Sequence, residues 1–182
     1  MNHDKVQTWP EPDPKPIAVE DGFVRLAGPL SSDSIVDGEG LRAVLFAQGC
    51  RRKCPGCQNP ETWDETAGVA VSLDEIKERL SAMRGQAGIT FSGGEPMLQA
   101  RALTEIARWA KKEMGWNIWC FTGYTYETLR KLDDEKMALV RECDVLIDGP
   151  FILPQKDLTC RFRGSRNQRL LRLKNGEIEE IE

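Results

Sequence analysis

Three cysteines in one short segment constrain this chain more than any other feature. Cys50, Cys54 and Cys57 have C-x3-C-x2-C spacing, and they follow directly after the apolar run LRAVLFA. A loop at the end of a strand must therefore bring three soft thiolates together. Three thiolates can hold three irons of a four-iron cubane and leave the fourth open, whereas electron-carrying clusters usually have four cysteine ligands. The spacing predicts an iron–sulfur centre with chemistry at the cluster.

A zinc site is the alternative interpretation of the same three cysteines. Structural zinc normally takes four ligands, and the only histidine, His3, lies in a polar N-terminal tail. A fourth ligand would have to come from Cys120, Cys143 or Cys160. We interpret these three as buried thiols, because they lie among apolar or strand residues. The spacing favours an iron–sulfur cluster and leaves zinc, in a non-catalytic binding or electron-transfer module, as the alternative.

Length, composition and charge indicate which classes of protein this chain can belong to. The 182 residues suit one domain, and the formal net charge of -4 does not suggest a nucleic-acid partner or an anionic membrane. No apolar run approaches the ~20 residues that span a bilayer, and the N-terminus has no apolar core of a secretory signal. We predict a cytoplasmic protein with reduced cysteines and with no nucleic-acid or membrane partner.

The first 20 residues differ from the rest of the chain. They contain four prolines and few apolar side chains. Such a segment buries too little apolar surface to fold alone. We predict a flexible N-terminal arm over residues 1–20 and one domain over residues 21–182.

Strands and helices alternate through the middle of the sequence. Strands are predicted over residues 23–26, 41–47, 89–91, 117–121 and 144–147. Helices are predicted from Ser72, over residues 98–114 and within residues 125–142, with a hairpin at the C-terminus. This alternation is typical of a parallel sheet with right-handed crossovers. A full eight-stranded β/α barrel needs ~250 residues, so a partial barrel fits this length better.

Several small or polar residues follow the predicted strands, where the sites of parallel α/β folds lie. They are Ser92, Gly93, Gly94 and Glu95 after one strand, Thr122 after the next, and Asp148 after the last. The glycine pair can expose backbone groups to a ligand, and Glu95 can bind an amino group. An ordinary turn is the alternative for each of these segments.

Three basic residues, Arg51, Arg52 and Lys53, lie inside the cysteine loop. They can offset the negative charge of a thiolate-bound cluster or contact an acidic partner. A solvated loop tip is the alternative interpretation.

The cysteine motif and the later GGEP segment together resemble the radical S-adenosylmethionine enzymes, over residues 35–171. Within that superfamily the chain resembles the activating enzymes of glycyl-radical enzymes. SIVDGEGLR at residues 34–42 is similar to their SxVDGxGxR, although Glu39 stands where proline is common. QNPETW at residues 58–63 is similar to the NxxTW that follows their cysteines.

The closest resemblance is to the activating proteins of anaerobic (class III) ribonucleoside-triphosphate reductases. CPGC at residues 54–57 and RGSRNQ at residues 163–168 are similar to segments of that group, as are residues 119–124 and 145–151. Pro150 stands where that group often has lysine. Pyruvate formate-lyase activators often carry an aromatic residue before the third cysteine, where this chain has Gly56.

The resemblance implies a fold, two cofactors and a reaction. The fold is α/β, a partial (incomplete) radical SAM β/α barrel with a mainly parallel sheet. The implied cofactors are a [4Fe-4S] cluster and S-adenosylmethionine, which is reductively cleaved to a 5′-deoxyadenosyl radical. The radical then takes a hydrogen atom from a glycine of the partner, an anaerobic ribonucleoside-triphosphate reductase. Flavodoxin or ferredoxin is the implied reductant. Another glycyl-radical enzyme or a small molecule is the alternative substrate.

The resemblance also assigns roles to residues of this sequence. Cys50, Cys54 and Cys57 hold the cluster. Ser92, Gly93, Gly94 and Glu95 form the segment that contacts the methionine amino group, and the backbone of Gly56, Cys57 and Gln58 lies against the adenine. Thr122 and Asp148 are implied at the ribose or at a bound cation.

Overall fold

A nine-stranded mixed sheet forms the centre of the fold in a computed structural model that describes residues 11–182. His3 and the first half of the predicted arm lie outside the described residues. The strands are β1 (Phe23–Leu26), β2 (Ser31–Ser34), β3 (Arg42–Ala47), β4 (Val69–Ser72), β5 (Gly88–Gly93), β6 (Asn117–Phe121), β7 (Val145–Asp148), β8 (Arg169–Lys174) and β9 (Glu177–Ile181).

Four α-helices accompany the sheet within residues 11–182. They are α1 (Leu73–Ser81), α2 (Ala100–Trp109), α3 (Tyr126–Leu129) and α4 (Asp134–Glu142). The predicted start of α1 is confirmed, because the Ser72 side chain accepts a hydrogen bond from the Glu75 backbone at 3.2 Å. Apolar side chains of α1, α2 and α4 pack with those of the sheet in one core. None of the helices in residues 11–182 combines the length and apolarity needed to cross a bilayer.

Only the centre of the sheet is parallel. The strand order is β4-β1-β3-β5-β6-β7-β8-β9, with β2 also paired to β3. The pairs β3–β5, β5–β6 and β6–β7 are parallel, and the flanking pairs are antiparallel. The prediction of a mainly parallel sheet was therefore wrong for the flanks, where the connections reverse the chain without a helical crossover. The incomplete barrel stays a prediction.

The register of the parallel strands brings their carboxyl ends to one edge. Ala47, the last residue of β3, lies opposite Gly93 at the end of β5. Phe121, the last residue of β6, lies opposite Ile147 near the end of β7. The Thr122 backbone then donates to the Ile147 carbonyl at 2.9 Å. The segments after these strands therefore meet at the same place.

Candidate functional site

A cavity of about 670 Å³ opens at the carboxyl ends of the parallel strands. This volume lies in the range of small-molecule and cofactor sites. The residues that line it include nine of those singled out in the sequence: Cys50, Cys54, Cys57, Gln58, Ser92, Gly93, Gly94, Glu95 and Thr122. The structure therefore brings the cysteine loop (residues 50–57) and the SGGE segment (residues 92–95) to one site. Gly56 and Asp148 do not line it.

The cysteine loop is held by one backbone hydrogen bond to a residue that follows it and by one within the loop. The Cys50 backbone donates to the Trp63 carbonyl at 3.1 Å, and the Cys57 backbone donates to the Cys54 carbonyl at 3.0 Å. Gly56 between the last two cysteines has a φ of +75°, a conformation that favours glycine. The short loop therefore holds all three cysteines at the cavity through its own backbone.

The environment of Cys50 and Cys54 opposes the ionisation of their thiols. Burial, followed by the nearby Glu95 carboxylate, raises the pKa of Cys50 to about 11. Burial also raises the pKa of Cys54. Metal ligation requires thiolates, so metal binding here must release protons.

The placement of the three cysteines is compatible with a cubane cluster, since all three line one cavity. In residues 11–182, no group of three Cys, His, Asp or Glu side chains is close enough to hold a single metal ion. A cubane binds each thiolate through a different iron, so its ligands need a common cavity rather than a common ion. Cys120 and Cys143 are buried and lie off the cavity wall, and Cys160 is also off it.

The SGGE segment is fastened to the backbone that leads into the cysteine loop. The Gly94 backbone donates to the Ala47 carbonyl at 2.7 Å, and the Glu95 backbone donates to the Gly49 carbonyl at 2.8 Å. A Cβ atom on Gly94 would lie 2.4 Å from the Gly49 carbonyl oxygen. Only glycine allows the two segments to approach so closely.

We expect Gly94→Ala to destabilise the protein and loosen the cysteine loop. The added methyl group has to displace the Gly49 backbone, and overpacking of this kind costs about 1–3 kcal/mol. Gly28→Ala is the matched control, because a Cβ there meets nothing within 4 Å. Thermal unfolding of both variants tests this, and an unchanged midpoint for Gly94→Ala would contradict it.

Glu95 is the buried acid of the cavity. Its side chain accepts hydrogen bonds from the Thr122 hydroxyl at 2.8 Å, the Gly123 backbone at 2.8 Å and the Met97 backbone at 3.1 Å. The residue is only 3% exposed. Burial raises the pKa of Glu95, and these hydrogen bonds partly oppose that shift. The arrangement fixes a carboxylate where a ligand's ammonium group can pair with it.

Asp148 lies at the end of β7, but the structure gives its carboxylate other partners. One oxygen accepts from the Tyr126 backbone at 2.7 Å, and the Arg169 guanidinium donates to both oxygens. The residue is fully buried. These contacts join β7, α3 and β8, and Asp148 is not part of the cavity wall.

Part of the cavity wall was missed in the sequence. It comes mainly from the segment after β7 and includes Phe151, Leu158, Phe162, Arg163 and Gln168. Trp63, the last residue of the family-like segment QNPETW, also lines the cavity. For Phe151, Arg163 and Gln168 the available signal was the similarity of residues 145–151 and 163–168 to family segments, which assigned them no role. Leu158 and Phe162 lie outside both segments.

Comparison with known proteins identifies relatives over most of the chain. A family model described as a 4Fe-4S single cluster domain matches residues 36–171. An anaerobic ribonucleoside-triphosphate reductase-activating protein of Haemophilus influenzae is 36% identical over 149 residues, which cover 77% of this chain and 93% of that protein. Proteins of the same name from Escherichia coli K12 and Enterobacteria phage T4 are 36% and 35% identical, and the matches cover 90% and 86% of their lengths.

Proposed function

We propose a function from one premise: this chain belongs to the family of anaerobic ribonucleoside-triphosphate reductase-activating proteins. It is an iron–sulfur enzyme of that family, with a 4Fe-4S domain. In this proposal it uses S-adenosylmethionine to install a glycyl radical on such a reductase. The observation that carries the proposal is the single cavity shared by the three cysteines and the SGGE segment.

Different residues of the cavity would hold the two cofactors. Cys50, Cys54 and Cys57 would hold a [4Fe-4S] cluster through three irons. When bound, the cluster and S-adenosylmethionine supply a one-electron cleavage to methionine and a 5′-deoxyadenosyl radical, which takes hydrogen from a glycine Cα. Glu95 would pair with the methionine ammonium group. The backbone of Cys57 and Gln58, which line the cavity, would lie along the adenine, and Gly56 would provide the turn that places them there.

Two further residues receive different roles. Thr122 positions Glu95 through its hydroxyl hydrogen bond of 2.8 Å and also lines the cavity, which supports a place for it beside the ligand. For Asp148 the contacts with Arg169 and Tyr126 support a structural role instead of contact with the ribose. The protein's contribution to the chemistry is thus positioning and exclusion of solvent.

The mouth of the cavity supports a macromolecular substrate. Val36 and Leu158 line the cavity, and they are 72% and 73% exposed. Exposed apolar side chains at the rim of a site are typical of a surface that another protein covers. A glycine on a protein loop could reach the cavity from this side.

The remaining parts of the proposal concern architecture and setting. The four parallel strands would be the core of an incomplete radical SAM barrel in a domain of residues 21–182. The enzyme would work in the cytoplasm and would receive its electron from a flavodoxin or a ferredoxin. Neither nucleic acid nor a membrane is needed for this activity.

An anaerobic assay tests the proposed function. The cluster is reconstituted, dithionite and S-adenosylmethionine are added, and 5′-deoxyadenosine is measured with and without an anaerobic ribonucleoside-triphosphate reductase. Deoxyadenosine together with a glycyl-radical EPR signal on the reductase is expected. Deoxyadenosine without that signal would move the proposal to another glycyl-radical enzyme or substrate. No deoxyadenosine from a protein with a full cluster would overturn it.

We expect Glu95→Gln to weaken S-adenosylmethionine binding about 10–100-fold, the equivalent of losing one charged hydrogen bond of about 1.5–3 kcal/mol. The amide keeps the size of the side chain but loses the negative charge that pairs with the ammonium group. Titration calorimetry on the reconstituted protein measures the effect. Glu78→Gln, which changes an exposed carboxylate on α1, is the control. Equal affinity of Glu95→Gln and the unchanged protein would contradict the assignment.

A further inference from the structure

We propose that the N-terminal segment is part of the cluster site: Glu11 holds Arg52 in place, and Arg52 supplies a positive charge beside the cysteine ligands. The inference rests on the iron–sulfur cluster but not on the use of S-adenosylmethionine. In this proposal residues 11–17 contribute to the electrostatic potential at the cluster by positioning Arg52.

Arg52 is buried among the residues of the cavity although it lies in a loop. Its side chain is only 5% exposed. The guanidinium lies 5.3 Å from the centre of the Tyr124 ring, and the stem packs over Gly123. Arg52 lines the same cavity as Cys54 and Glu95. Burial raises the pKa of both groups, and the charge of Arg52 partly opposes that rise.

The position of this cation depends on a single described acid. Arg52 Nη2 donates to Glu11 Oε2 at 2.6 Å, and this is its only ion pair within residues 11–182. Its Nε is buried without a hydrogen-bond partner among the same residues. A cation taken out of water is costly unless it is paired. Glu11 is therefore the contact that keeps Arg52 in the cavity wall.

Other contacts fix the segment that carries Glu11. Arg51, the neighbour of Arg52, donates to the carbonyls of Asp13 at 3.0 Å and Lys15 at 2.7 Å. The backbone of Ile17 donates to the Leu98 carbonyl at 3.1 Å, and the Ile17 side chain is buried. The segment thus follows the cysteine loop over several residues and does not touch it at Glu11 alone.

A charge in this position affects the reduction of a cluster. Reduction adds negative charge to an iron–sulfur cluster, so a nearby cation favours the reduced form and raises the reduction potential. Because Arg52 is almost completely shielded from solvent, salt screens its charge less than that of a surface arginine. Loss of Arg52 from the wall should therefore lower the potential.

Reduction potentials of the reconstituted full-length protein test the inference. We expect Arg52→Gln to shift the potential to a lower value, and Arg52→Lys to shift it less. Glu11→Gln is decisive, because two explanations predict opposite signs. If Glu11 only contributes a negative charge, its removal raises the potential. If Glu11 holds Arg52 in place, its removal releases the cation and lowers the potential.

Glu20→Gln is the matched control for Glu11→Gln, since it removes an exposed carboxylate three residues beyond the same segment. Iron and sulfide content must be equal in all samples, so that a shift reports electrostatics rather than cluster loss. A lower potential in both Arg52→Gln and Glu11→Gln, with no change in Glu20→Gln, is the expected result. A raised or unchanged potential in Glu11→Gln would overturn the inference. Deoxyadenosine formation is measured separately, because it tests the proposed function, whereas the reduction potentials test the role of Glu11 and Arg52.

Discussion

Replacement of Cys50, Cys54 or Cys57 by alanine is expected to abolish cluster binding and cleavage of S-adenosylmethionine. Each thiolate would hold a different iron, so none of the three can substitute for another. The buried thiols Cys120 and Cys143 lie off the cavity wall and cannot serve as replacement ligands without a rearrangement of the core. The loss should be complete rather than graded.

Cys160→Ala is the control for these variants. Cys160 is a half-buried free cysteine that does not line the cavity. We expect it to keep its iron and sulfide, its visible absorption and its deoxyadenosine yield. Each variant is reconstituted anaerobically, analysed for metal and assayed, and its circular dichroism reports whether it is folded. Full S-adenosylmethionine cleavage by any of the three site variants would refute the ligand assignment. Zinc at one equivalent in the unchanged protein would favour the zinc alternative.

Local sequence patterns predicted the elements that carry the site. The apolar runs of β3, β5, β6 and β7 and the capped start of α1 are recognisable because each pattern depends on neighbouring residues. The three cysteines also needed no long-range information, since one loop carries them. The common location of the loop and the SGGE segment followed from a general property of parallel strands, whose carboxyl ends share an edge.

Other parts of the fold depend on contacts that no local pattern shows. The strand β2 consists of Ser31–Ser34, a sequence without the apolar alternation of a typical strand. The strand β4 was missed because none of its four residues is buried and it pairs with β1 at the margin of the sheet. Pairing across the sheet, rather than intrinsic preference, decides such strands. This is why the mixed character of the sheet was not predicted.

Two buried charged residues, one of them at the site, were missed in the sequence for the same reason. Arg42 is fully buried, and its guanidinium bonds to Thr90, Ile89 and Asn117, far away in the chain. Burial lowers the pKa of Arg42 to about 10. The contact of Glu11 with Arg52 likewise joins residues 41 positions apart. Charged residues of this kind resemble solvated loop residues until their partners are known.

The largest effect expected on stability comes from Asp148. We expect Asp148→Ala to lower the free energy of unfolding by about 3 kcal/mol, the lower end of the cost of breaking a buried ion pair. The change leaves the Tyr126 backbone N–H without its acceptor and removes the buried partner of Arg169. We expect a loss of stability at the lower end of this range because Arg169 keeps Glu127 as a second partner, at 2.7 Å.

Asp21→Asn provides the comparison for an exposed ion pair. Asp21 and Arg101 are 3.2 Å apart, and both side chains are more than half exposed. Such pairs contribute about 0–1 kcal/mol, so this variant should unfold almost as the unchanged protein does. Urea unfolding of the cluster-loaded proteins measures both changes. A normal unfolding midpoint for Asp148→Ala, combined with weaker S-adenosylmethionine binding, would contradict the structural role. It would favour the role that the family resemblance implies, contact with the ribose or a bound cation. Loss of stability with unchanged S-adenosylmethionine affinity per folded molecule would show that Asp148 stabilises the contacts between β7, α3 and β8.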